Sequence, residues 1–243
     1  MSKLQFQLRG NEMNRIEAVS DVVFGFALAL LVVSLEVPRT YADLINAMLG
    51  FPAFALTFAA LMAVWARHYY FFRYYGLDDL GTIVLNTLLL FVVLFYVYPL
   101  KFFVSVFLAN VWLYPLIGVP IQISTGPHPV MTWNDARGLI IIFGSGFAAI
   151  YFVFGAMYWH AFRMREVLGL SAFETAYTKT TMVSQILNGV VGTLTILIAC
   201  AVSGTHAGFA GYIYWLVPVV GLWRRRRRSL EERAATLPVT VAE

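Results

Sequence analysis

Cysteine is almost absent. Cys200 is the only one, so no intramolecular disulfide and no cysteine-based zinc site can form. Histidine is scarce too, and His68, His128, His160 and His206 stand far apart along the chain. A metal site needs clustered His, Asp or Glu, and the sequence offers no such cluster. It also lacks the Gly-x-x-x-x-Gly-Lys-Ser/Thr phosphate loop and the Gly-x-Ser-x-Gly nucleophile elbow. These gaps argue against an enzyme, and no cofactor is expected. Charge is the remaining shortage: 12% of the 243 residues are charged and 60% are apolar, where a soluble domain carries about 25% charged residues. So few charges cannot coat a globule in water. They suit a helical bundle embedded in lipid.

What the chain does have is long apolar runs. Spanning a bilayer takes about 20 mostly apolar residues, and six stretches read as spans: 18–37, 46–67, 82–104, 138–160, 182–202 and a shorter one, 208–223, with Gly208 and Ala210 at its start. Pro38 closes the first, and Gly76, Asp78 and Asp79 separate the second from the third. The expected fold is therefore an all-α, multi-pass membrane protein with a short amino-terminal segment (1–17), a membrane domain (18–223) and a basic, partly disordered tail (224–243). Glu12, Glu17 and Asp21 spoil the basic leader of a cleaved signal peptide.

Fourteen of the seventeen Lys and Arg residues fall at span ends on one side, leaving Arg39, Lys101 and Arg137 on the other. Basic residues mark the cytoplasmic side, so both termini are expected in the cytoplasm and the plasma membrane is the expected location. The net charge of +4 is thus accounted for by topology, and the bilayer rather than nucleic acid is the expected partner. A seventh span over 102–121 would put Arg224 to Arg228 on the wrong side. Residues 105–134, with Pro115, Pro120, Pro127 and Pro129, read instead as an outer loop at the interface. The arginine run reads first as a stop-transfer anchor; the alternative is a polybasic patch for anionic lipid.

Function concentrates near the amino terminus. Arg15, Ser20 and Asp21 stand at the mouth of the first span, where charge is costly unless it faces protein or water. Trp65 and His68 near the end of the second span, and Asn86 one turn into the third, lie at similar depth. A network among Ser20, Asp21, His68 and Asn86 would fix helix packing; a proton relay through Asp21 and His68 is the alternative. Phe26, Leu30, Val33 and Val37 share one helical stripe at spacings of 4, 3 and 4. Turned inward in an oligomer, that stripe would make a hydrophobic constriction that gates by dewetting.

Over residues 12–100 the chain resembles the transmembrane protein 175 type of potassium channels. That family opens with Arg-x-x-x-Phe-Ser-Asp; here Arg15, Ser20 and Asp21 match, with Val19 in place of the Phe. Glu36, Pro38, Trp65-x-x-His68 and Asn86 match in turn. The resemblance implies a homotetramer of six-helix subunits whose first helices line a central pore, narrowest at Phe26, Leu30 and Val33, and permeable to potassium and other monovalent cations. The family usually has Ile or Leu where Phe26 stands, and a Thr that tunes selectivity in some relatives is Ala29 here. The leading function is a passive potassium-permeable channel. The alternative is a proton-coupled transporter or proton leak pathway, which would need a titratable group near the midplane; the first three spans supply none.

Overall fold

The computed structural model describes residues 6–10, 12, 14–34, 37–108, 135–202 and 204–236, without the side chains of residue 46, residues 204–209 and residues 232–236. All regular structure among the described residues is helical: α1 (Arg15–Val33), α2 (Tyr41–Leu49), α3 (Phe51–Tyr75), α4 (Leu80–Leu108), α5 (Asp135–Arg163), α6 (Ala172–Ala201), and a 3₁₀ stretch (Gly204–Trp215) that runs into α7 (Leu216–Thr236). Five of them, α1, α3, α4, α5 and α6, are long and apolar enough to cross a membrane. Residues 109–134, Glu36 and His128 lie outside the described residues, as does the tail beyond 236; the first four residues of the expected outer loop complete α4.

Three boundaries differ from the sequence expectation, each for a local reason. The first span stops at Val33 rather than residue 37. The Ser34 hydroxyl donates to the Leu31 carbonyl at 2.6 Å, and Val37, as the residue before Pro38, disfavours helical dihedrals. The stretch 46–67 is divided at Gly50: Pro52 suits the first turn of a helix, where its missing N–H costs nothing. Thus α3 starts at Phe51 and runs on to Gly76, whose left-handed φ of 59° caps it. The last helix carries straight through the arginine run to Thr236, because Arg, Leu, Glu and Ala are all strong helix formers.

The helices alternate in direction, and contacts at both ends show it. At one end Lys101 Nζ donates to the carbonyl and hydroxyl oxygens of Ser34 (2.9 and 2.7 Å), and Arg137 donates to the Val202 carbonyl at 2.5 Å. At the other, basic end, Arg9 pairs with Glu174 at 2.9 Å and His160 with Asp79 at 2.9 Å. The 3₁₀ stretch and α7 return along α6, with Arg228 stacked 3.9 Å above the Tyr177 ring.

The α5–α6 interface is built on small residues. A Cβ on Gly192 would lie 3.1 Å from the Ala148 nitrogen and the Gly144 carbonyl oxygen, so these backbones meet almost directly. Across the bundle, Tyr96 of α4 lies over Gly146 and donates to the Phe143 carbonyl at 2.7 Å.

Candidate functional site

Three helices, α1, α3 and α4, converge at the basic end of α1. With 3.6 residues per turn, Ser20, Phe24, Ala27 and Leu31 fall on one face, and all four are buried. That face meets α3 and α4. Ser20 is adjacent to Asp21 in sequence but about 100° away around the helix, so the two side chains serve different neighbours.

From Ser20 a polar chain runs inward. The Ser20 hydroxyl donates to the Ile16 carbonyl at 2.7 Å, and Asn86 Nδ2 donates to Ser20 Oγ at 2.9 Å. Asn86 Oδ1 then accepts from His68 Nε2 at 2.8 Å. Ser20, His68 and Asn86 are 0%, 1% and 3% exposed, so the water-free site makes these bonds expensive to lose. Their polarity follows from donor arithmetic. Ser20 has spent its proton on Ile16, so it accepts from the Asn86 amide; the Asn86 oxygen is left as acceptor, and His68 must carry its proton on Nε2. The chain ends on a backbone carbonyl, which cannot pass a proton on. Ring packing completes the site: His68 lies 5.5 Å from Phe24 and 4.7 Å from Phe72.

Asp21 stays out of this chain. It accepts from Trp65 Nε1 at 2.8 Å, so α1 is tied to α3 through Asp21 as it is tied to α4 through Ser20. Of the anticipated residues, Ser20, His68 and Asn86 therefore come together, Asp21 and Trp65 form a separate pair, and Arg15 is exposed with no hydrogen bond or ion pair among the described residues.

The opposite side of α1 is uncovered. Phe26 is 62% and Val33 74% exposed, and with exposed Val22 and Ala29 they form a continuous line at spacings of 4, 3 and 4. Leu30 sits half-buried at the edge of that line, while Val37 is exposed beyond the helix end.

Two further clasps, Arg9–Glu174 and Asp79–His160, close the basic end. Arg9 holds both oxygens of Glu174 (3.0 and 2.9 Å) and the carbonyls of Leu168 and Gly169, tying the segment before α1 to the start of α6. Ser171-Ala172-Phe173-Glu174 is a capping box legible in the sequence; the partner 165 residues away is not. In the second clasp, Asp79 accepts from the Thr82 hydroxyl (2.7 Å), the Gly81 amide (3.0 Å) and His160 (2.9 Å). Burial raises the Asp79 pKa, but the Thr82 and His160 bonds outweigh it and hold the carboxyl below its ordinary range. A lowered folded pKa stabilises the fold above the unfolded value of about 3.9 and is lost as pH falls below it. Asp79→Asn is therefore expected to flatten the decline in melting temperature between about pH 4 and pH 3, measured by a pH series of thermal melts; an unchanged slope would show that the clasp does not contribute.

Fold and site together define a helical membrane protein whose first helix is fastened on one side and bare on the other. Residues 15–96 match the family described as the endosomal/lysosomal potassium channel TMEM175. Over 236 residues the chain is 36% identical to a potassium channel of Marivirga tractuosa, covering 93% of this chain and 94% of that one. A potassium channel of Chamaesiphon minutus is 29% identical over 124 residues, 48% of this chain and 59% of the other. Among solved structures, a variant of the potassium channel MtTMEM175 bound to a nanobody–MBP fusion superposes with a TM-score of 0.79 at 36% identity, over 93% of this chain and 98% of that chain. A lysosomal potassium-selective channel TMEM175 homologue from Chamaesiphon minutus shares the fold, with a TM-score of 0.54 at 23% identity, over 86% of this chain and 96% of the other. The chain belongs to the TMEM175 family.

Proposed function

We propose that the protein is a passive, potassium-permeable cation channel, assembled as a homotetramer in which α1 of each protomer faces a common axis. The observation that carries this reading is the bare line Val22, Phe26, Ala29, Val33 on a helix otherwise locked to α3 and α4. Its full-length likeness to proteins named potassium channels supplies the ion. In this arrangement the Phe26 rings form the narrowest girdle, Val33 a second, and Leu30 the wall between protomers. An apolar ring excludes water and passes cations only when wetted. With Phe26 where relatives carry Ile or Leu, and Ala29 where some carry Thr, discrimination among monovalent cations is modest.

The 3₁₀ stretch and the start of α7 serve as the sixth crossing, with both termini and the basic end in the cytoplasm of a plasma membrane. The polar chain from His68 to Ile16 serves to set the angle of α1, since it leads to no further proton acceptor.

Purified protein in liposomes, loaded with potassium and diluted into potassium-free buffer, is expected to release the ion without any pH gradient. Release that occurs only with an imposed pH gradient would replace the channel by a proton-coupled carrier. No release from an intact tetramer, or a particle that is monomeric, would overturn the proposal.

A further inference from the structure

The basic end of the bundle holds an arrangement that conduction does not use. Arg67 of α3 and Arg224 of α7 both act on the tyrosines of α5. The Arg67 guanidinium lies over the Tyr151 ring at 5.5 Å, and Arg224 is within electrostatic reach of Arg67, Tyr151 and Tyr158. The field of both, together with that of Arg228, acts on the Tyr158 hydroxyl. Arg67 and Arg224 are half-buried, and among the described residues no carboxylate pairs with either. Arg224 Nε is buried with no hydrogen-bond partner.

Like charges gathered in a partly dry site repel, and a buried N–H left unpaired costs further free energy. An anion between them removes both costs. Guanidinium forks match the oxygens of phosphate in pairs, which makes arginine the usual choice for that ion. Depth indicates where the phosphate comes from. Trp159 and Trp223 lie close by in sequence on the same two helices, each with an arginine against its ring (Arg163 at 4.9 Å, Arg227 at 5.9 Å). Tryptophan paired with a cation marks the headgroup level of a bilayer. Basic pockets between helices at that level take acidic headgroups.

We propose that Arg67, Arg224 and the two tyrosines form a binding site for the phosphate of an anionic phospholipid, between α3, α5 and α7. The arginine run thus divides by position. Arg224 points into the bundle and reads one headgroup; exposed Arg225 and Arg226 face the diffuse anionic surface. The site stands apart from α1 and does not depend on conduction.

Thermal melts of the full-length protein in detergent test this, with added phosphatidylglycerol, phosphatidylcholine or inorganic phosphate. Phosphatidylglycerol is expected to raise the melting temperature, with the other two inert. In the double variant Arg67→Gln/Arg224→Gln, half-maximal stabilisation should need about tenfold more phosphatidylglycerol, whereas Arg225→Gln/Arg226→Gln should respond like wild type. Equal loss in both variants would mean diffuse attraction and overturn the site. An equal shift with phosphatidylcholine, or with inorganic phosphate alone, would overturn the assignment to an acidic lipid. Should the first variant fail to fold, native mass spectrometry of the wild type decides: retained phosphatidylglycerol in preference to phosphatidylcholine supports the site, and no preference refutes it.

Discussion

Phe26→Ala is expected to raise potassium flux through reconstituted protein by about tenfold or more, which corresponds to lowering the barrier by roughly 1.4 kcal/mol. In the proposed tetramer this change deletes one aromatic ring per protomer from the narrowest girdle, widening it and easing its wetting. Because Phe26 is 62% exposed in the protomer, it contributes little to the protomer's own packing, and stability should change by less than about 1 kcal/mol. Leu31→Ala provides the contrast. Leu31 is fully buried on the fastened face, so its truncation should destabilise by about 2–5 kcal/mol without widening the girdle. Liposome flux and thermal melts on the two variants check the pair. Flux unchanged by Phe26→Ala would remove that residue from the conduction path.

The second large effect concerns the polar chain. Asn86→Leu preserves volume but leaves the His68 Nε2 proton without an acceptor in a site that water does not reach. Such an orphan costs about 1–3 kcal/mol. Replacing both partners, His68→Phe with Asn86→Leu, removes the orphan and keeps the ring packing against Phe24 and Phe72. The double variant is therefore expected to be more stable than Asn86→Leu alone, by about 1 kcal/mol or more. Denaturation of the single and double variants in a mutant cycle measures this coupling. If the two losses simply add, the His68–Asn86 hydrogen bond contributes nothing to joining α3 to α4.

Much of this arrangement was legible in the chain, and the exceptions follow from geometry. Residues placed at a common depth, Ser20, His68 and Asn86, do meet, because one helical turn of depth suffices to bring facing side chains within reach. Asp21 does not join them, because successive helical residues lie about 100° apart; neighbours on a helix do not share a partner, and Asp21 turns to Trp65. The break at Gly50 before Pro52 was written in residue types that punctuate helices, yet the surrounding apolar composition hid it. The Arg9–Glu174 clasp is a different case. Nothing local to residue 9 specifies a partner at 174, and only the closed bundle brings them together. The bare face of α1 was legible only in part. Phe26 and Val33 of the expected stripe lie on it and Leu30 at its edge, while Val22 and Ala29 complete it. A helix apolar on every side carries no periodic signal of which side its neighbours cover.

Thiol accessibility along α1 tests the central claim most directly. With Cys200→Ser as background, single cysteines are placed by Phe26→Cys, Val33→Cys and Leu31→Cys, and potassium flux is followed while a charged, water-soluble thiol reagent is added. An inward-facing line predicts that the reagent blocks flux at positions 26 and 33 and leaves position 31 untouched. Unmodified flux at 26 and 33, with those cysteines reacting instead with a lipid-soluble maleimide, would place that line against the bilayer and contradict the account.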